Sequence, residues 1–294
     1  MCWRAALLVF CLAFVPWPAR AAEPEPFNMG FYLPGIRDAN LADVKVSVQL
    51  WAEEIGNYRG FRARTFTYDD MQHLHQDAMA GRIHIVVAPG MELAEFFAPG
   101  ELKDGFAGVK AGEIGGLALV VGKTAGIRAF ADLKGRRVVK LSEDRLSDVY
   151  LETQCQNAFK GGCRDFLDLS TEKRGISVLH RVFFGQAAAA LVPLDSLHTA
   201  LALNPQIAGR VRSLQEWRLR ATTFGMIPAH TAPDYRARVL DAAMQVSGTV
   251  RGRQMLDLFK TERMLPVTEV DLQPFWRLAR DYKNLIDKKA TKRK

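Results

Sequence analysis

The stretch GGLALVVGK, residues 115–123, decides how the chain is organised. It is a short apolar run, the length of a buried strand, opened by two glycines that suit a place where the chain changes direction. Before it, FNMGFYL (27–33) reads as a strand, Pro34-Gly35 as a turn, and Asn40 as the cap of a helix with Val44, Val48, Trp51 and Ile55 on one face. FRARTFT (61–67) is a second strand, a helix with Met71, Leu74 and Ala78 inward follows, and IHIVVAP (83–89) is a third strand. This β-α-β-α-β order is the signature of a parallel sheet covered by helices. After Lys123 the alternation restarts, with a strand at 136–140, a helix from about Ser147, a strand ISVLH (176–180), a helix at 181–185 and a strand AAAALV (187–192). NPQ (204–206) ends a helix and TTFGMIP (222–228) is extended. The rest reads as helical, closing with an amphipathic helix that carries Leu272, Phe275, Tyr282, Leu285 and Ile286 on one face.

The sequence therefore predicts an α/β fold of two lobes, each a mainly parallel sheet flanked by helices, joined by two extended crossovers. Residues 22–114 and 222–287 form the discontinuous first lobe and residues 115–221 the second; a chain of 294 residues is longer than most single cores support.

The first residues set the compartment. Arg4 precedes an apolar run from Ala5 to Val15, then Pro16, Pro18 and the small-residue pattern Ala19-Arg20-Ala21, which together read as a cleavable secretory signal over residues 1–21. The run is shorter than the roughly 20 residues a membrane span needs. The formal charge of +8 falls to +6 without Arg4 and Arg20, and the tail KKATKRK (288–294) holds +5 of that, leaving the folded body near neutral. Such a tail reads as a solvated end, the alternative being contact with an anionic membrane surface; export makes nucleic acid an unsuitable partner. Cys2 and Cys11 leave with the signal. Cys155 and Cys163, eight apart in an exported chain, predict a disulfide, against the alternative of two buried thiols. No zinc site or other cofactor is expected, since two thiols without nearby histidines do not complete a tetrahedral set.

Between residues 131 and 154, ADLKGRRVVKLSEDRLSDVYLETQ, a strand runs into a helix whose start is crowded with Ser142, Glu143, Asp144, Ser147 and Asp148. A helix N-terminus is a ready anion site, because its first amide N–H groups lack intrahelical partners. Here Lys140 and Arg145 bring two positive charges to it, and Glu143, Asp144 and Asp148 bring three negative ones. Either Ser142 or Ser147 suits the helix cap.

GLALVVGKTAGIRAFADLKGRRVV (116–139), HRVFFGQAAAALV (180–192), LALNPQ (201–206) and MLPVTEVDLQPFWRLARDYKNL (264–285) resemble the phosphonate and phosphate substrate-binding proteins of ABC transporters, a branch of the type II periplasmic binding proteins. The resemblance implies two lobes that close like a trap on a small polar or anionic ligand, and delivery of that ligand to a membrane permease from the periplasm. Open α/β sheets bind ligands at the carboxyl ends of their strands. The cleft walls would then be Tyr32 to Asp38, Ala88 to Glu92, Leu141 to Ser147, Thr171 to Gly175, and Pro193 to Ser196. The candidate ligand contacts are Tyr32, Met91, Glu92, Ser142, Arg145, Ser147 and Arg174. Core packing is the alternative for Tyr32 and Met91, and a solvated loop charge for Arg174.

The sequence departs from the family's phosphonate pattern. The family's Ser-Thr-Ser run falls on Arg145-Leu146-Ser147, its Ser-His pair on Arg174-Gly175, and its acidic positions on Ala188 and Pro193. A larger polar ligand with at most modest negative charge is therefore expected. A monomer is expected, with presentation of the closed form to a membrane sensor as the alternative role. An enzyme is disfavoured: no Ser or Cys nucleophile stands in a recognisable motif, and His73 and His75, two apart on a helix, point to different faces.

Overall fold

A computed structural model of the chain describes residues 25–35, 41–57, 60–109, 115–258 and 261–292. The signal at 1–21, the Asn40 cap and Asp38 of the expected cleft wall lie outside the described residues. Six strands form one sheet: β1 (Pro26–Tyr32), β2 (Arg62–Tyr68), β3 (Ile85–Pro89), β4 (Leu102–Val109), β10 (Thr223–Pro228) and β11 (Arg263–Thr268), in the order β11-β4-β10-β3-β1-β2. Five form the other: β5 (Gly115–Gly122), β6 (Arg137–Leu141), β7 (Asp168–Glu172), β8 (Ala189–Pro193) and β9 (Val211–Leu219), in the order β7-β6-β8-β5-β9.

Both sheets are mixed, where the alternation had implied mainly parallel ones. β1 pairs in parallel with β2 and β3, and β6 with β7 and β8. The antiparallel part comes from β4 and β10 on one side and β5 and β9 on the other, the strands that carry the chain between the sheets. The two passages are therefore neighbours. Gly116 makes their close approach possible: its φ is +124°, and a Cβ there would lie 1.9 Å from the Trp217 carbonyl oxygen.

Helices cover both faces of each sheet. α1 (Leu41–Asn57), α9 (Pro233–Gln245) and α10 (Val250–Leu258) lie on one face of the six-stranded sheet, burying Phe27, Phe31, Val48, Trp51 and Val239. α6 (Gly175–Phe183) and α7 (Leu194–Leu203) do the same for the five-stranded sheet, over Val120, Val139, Val178 and Val192. Asn204 ends α7 and caps α8 (Pro205–Arg210), its side chain accepting from the Gln206 N–H. On the facing sides stand α2 (Met71–Met79), α3 (Gly90–Phe96) and α4 (Arg145–Phe159), with α11 (Gln273–Lys292) against both α3 and α4. There the two cores merge. One buried cluster runs from Met71, Leu93 and Phe97 through Phe224 and Phe275 to Leu119, Val149 and Leu191.

Three expectations are corrected. Residues 176–180 belong to α6 rather than to a strand: Val178, Leu179 and Val182 are buried at helical spacing while Ile176 is 37% exposed. The strand of that unit is β7, whose sequence DLSTE lies at a sheet edge and carries no apolar run. The segment beyond residue 228 is not all helical, because β11 completes the first sheet; its Pro266 is tolerated since β11 is an edge strand. α4 begins at Arg145, two residues before Ser147.

The Cys155–Cys163 disulfide is present, joining α4 to α5 (Cys163–Phe166) with a Cα separation of 5.2 Å. Lys160 in the left-handed conformation ends α4, and Gly161-Gly162 return the chain. Phe159 and Phe166 stack over the turn at 5.1 Å. A loop this short is expected to contribute about 2–3 kcal/mol through the unfolded state. Denatured, non-reduced protein should show no titratable thiol, and reduction should lower the denaturation midpoint; two free thiols per chain would contradict the bond.

Candidate functional site

The site is built where strands of both sheets end in helices. β3 passes directly from Pro89 into α3, and the first N–H of that helix, on Gly90, donates to the Thr222 carbonyl at 2.8 Å, tying α3 to the return passage between the sheets. β6 leads through Ser142, Glu143 and Asp144 into α4. The two helices meet between the sheets through Arg145 and Glu95. The Arg145 Nε lies 3.0 Å from each Glu95 carboxylate oxygen and its Nη2 lies 2.6 Å from Oε1, a bidentate pair. The Tyr282 ring of α11 stands 5.3 Å from the same guanidinium. Both side chains are partly open to solvent, at 38% for Arg145 and 20% for Glu95. Hydrogen bonding to Glu95 holds the Arg145 pKa above its usual value, against the opposing effect of burial.

At the start of α4 the protein's own carboxylates engage the side chains expected to meet an anion. Glu143 adopts the left-handed conformation, φ 54°, and turns the chain into the helix. Asp144 is the N-cap residue but makes no side-chain cap bond, and neither Ser142 nor Ser147 is the cap. The Ser147 hydroxyl donates instead to Asp144 Oδ2, with Ser147 wholly buried and Asp144 8% exposed. Lys140, 9% exposed, places its ammonium 2.5 Å from Asp148 Oδ1 and donates to the Leu141 carbonyl at 2.9 Å. The two cations and the buried hydroxyl that would meet an incoming anion, Lys140, Arg145 and Ser147, are each engaged by a carboxylate.

The remaining candidates fall in different places. Tyr32 ends β1, half-buried; burial first, then the charges of Glu92, Asp70, Asp69 and Glu95, raise its pKa, so its hydroxyl is a neutral donor at physiological pH. Glu92 is half-buried in the first turn of α3. Met91 is fully buried in the shared core, with no exposed surface. Ser142 is half-buried, and its backbone N–H donates to the Glu172 carbonyl at 2.9 Å. Arg174 is exposed at the N-cap position of α6 and makes no ion pair among the described residues. Glu95 and the contact of Tyr282 with Arg145 escape sequence reasoning: Glu95 is a polar helix position 50 residues from the arginine it holds, and Tyr282 reads only as part of the apolar face of the last helix. Among the described residues no group of three or more His, Cys, Asp or Glu is placed to hold a metal ion.

Two helix-covered sheets joined by two adjacent passages, with helix N-termini at the carboxyl ends of the parallel strands, define a two-lobed type II periplasmic binding protein. The chain belongs to the family described as ABC transporter, phosphonate, periplasmic substrate-binding protein, whose sequence model matches residues 38–272. Proteins of this family are substrate-binding components of transport rather than enzymes; they bind small anionic ligands such as phosphonate and deliver them to ABC permeases. No helix of the described residues is long and apolar enough to cross a membrane. Among curated proteins none matches the sequence. Among solved structures, XAC2383 from Xanthomonas citri bound to ATP is similar at a TM-score of 0.64 with 10% identity, covering 90% of this chain and 98% of that one. PhnD1 from Prochlorococcus marinus in complex with methylphosphonate gives 0.59 and 12%, covering 88% and 99%. The periplasmic aliphatic sulphonate binding protein SsuA from Escherichia coli gives 0.52 and 14%, covering 90% and 94%. At 10–14% identity these likenesses show a shared fold alone.

Replacing Ser147 by Ala removes the hydroxyl donor from buried Asp144. A loss of about 1–3 kcal/mol in stability is expected, since the bond involves a charged acceptor. Chemical denaturation checks it, and a change within about 0.5 kcal/mol, the level of an ordinary surface substitution, would contradict the bond.

Proposed function

We propose that the chain is exported through the signal at residues 1–21 and serves in the periplasm as the solute-binding component of an ABC transporter. Its lobes are residues 22–114 with 222–287, and residues 115–221, and its ligand lies between the start of α3 and the start of α4. The ligand is a polar molecule with at most modest negative charge, met by Tyr32 and Glu92 from one lobe and by Ser142, Arg145, Ser147 and Arg174 from the other.

The observation that carries this reading is the engagement of Lys140, Arg145 and Ser147 by Asp148, Glu95 and Asp144. A compact dianion entering here would face these carboxylates at close range in a partly desolvated site, where like charges are costly. On the same scaffold XAC2383 holds ATP and PhnD1 holds methylphosphonate, so the fold by itself does not fix ligand size.

Calorimetric titration of the mature protein with phosphate, phosphite and methylphosphonate tests the ligand class. Binding of each is expected to be weaker than micromolar, that is, weaker than about −8 kcal/mol. Micromolar or tighter binding of any of them would show that α4 opens an oxyanion site.

A further inference from the structure

The Glu95–Arg145 pair does more than neutralise an arginine. Arg145 is the first residue of α4, on the five-stranded side, and Glu95 stands near the end of α3, on the six-stranded side. The carboxylate takes both faces of the guanidinium fork that it can reach, through Nε and Nη2, as a carboxylate or phosphonate of a ligand would. Tyr282, from α11, covers the guanidinium from a third element. α11 itself is anchored at its first turn: the Trp276 Nε1–H donates to the Phe97 carbonyl at 2.9 Å, and Phe275 is buried against Phe224 and Trp217. Arg145 therefore presents a restrained fork whose ligand position is filled from the opposite side of the cleft.

We propose that Glu95 is a built-in competitor for the anionic group of the ligand, and that exchanging Glu95 for that group on Arg145 is the step that selects the ligand. The inference rests on the cleft reading above and names the residue that sets its charge preference. A ligand anion gains Arg145 only by displacing Glu95, so its net gain is the difference between two similar bidentate pairs. A weakly charged ligand with additional polar contacts loses little by this exchange. A small dianion, which depends on the arginine for most of its binding, loses the most. The pair also links α3 to α4.

The test is the ratio of methylphosphonate affinities between wild type and Glu95→Gln, measured by calorimetry to millimolar ligand. Glu95→Gln should bind at least about tenfold tighter than wild type, equivalent to about 1.4 kcal/mol. Asp281→Asn removes the same charge beside Tyr282 without touching the pair and should leave affinity within about twofold, as expected for an exposed and screened charge. Adding Arg145→Gln to Glu95→Gln should abolish the gain. An unchanged or lower affinity in Glu95→Gln, no measurable binding in either protein, or an equal gain in Asp281→Asn would overturn the inference. The ligand reading fails separately: micromolar methylphosphonate binding by wild type overturns it, whatever the ratio.

Discussion

Phe275 is the contact on which the relation between the two halves depends. It meets Phe224 edge-to-face at 5.7 Å and Trp217 at 6.0 Å, and Trp217 in turn stacks on Tyr150 of α4. The ring fits because Gly90 has no Cβ; one would lie 2.7 Å from Phe275 Cζ. One side chain thus joins the last helix, the start of α3, the return passage and the second sheet. Burying a ring of this size contributes on the order of 1.5–3 kcal/mol. Its structural consequence is larger, because it sets the line of α11 and thereby brings Tyr282 over Arg145.

From that anchor the electrostatics of the cleft follow. An exposed helix N-terminus at the end of a parallel strand attracts anions by default, and PhnD1, of similar fold, is in complex with methylphosphonate. Here the first turn of α4 holds Asp144 on Ser147 and Asp148 on Lys140, while Glu95 reaches across from α3. The chain therefore shares the architecture of the phosphonate-binding family and pairs these side chains at the start of α4 with its own carboxylates.

Much of the architecture was legible because the first three strands and two helices keep clean periods: Phe27, Met29 and Phe31 alternate along β1, and Met71, Leu74 and Ala78 line one face of α2. The glycines at 115–116 marked the passage between sheets for a reason that Gly116 makes concrete. The misreadings have two local causes. β7 is an edge strand without an apolar run, β11 is an edge strand whose Pro266 argues against a strand in sequence, and the short apolar cluster around Val178 has no length to separate helix from strand. Of the site, the crowding of acids at the start of α4 was visible locally, as was the cysteine pair. For Met91 the sequence left core and cleft open, because a position beside a cleft and a position beneath it look alike in sequence; the side chain is buried in the core. Glu95 and Tyr282 were invisible for a different reason: their roles come from helices that only tertiary packing brings to Arg145.

The most direct test is a crystal structure of the mature protein grown with excess methylphosphonate. Glu95 is expected on Arg145 and Asp144 on Ser147, with no phosphonate density at the first turn of α4. A phosphonate seated on that turn, with Asp144 and Glu95 turned away, would contradict the claim that the protein's own carboxylates hold the site.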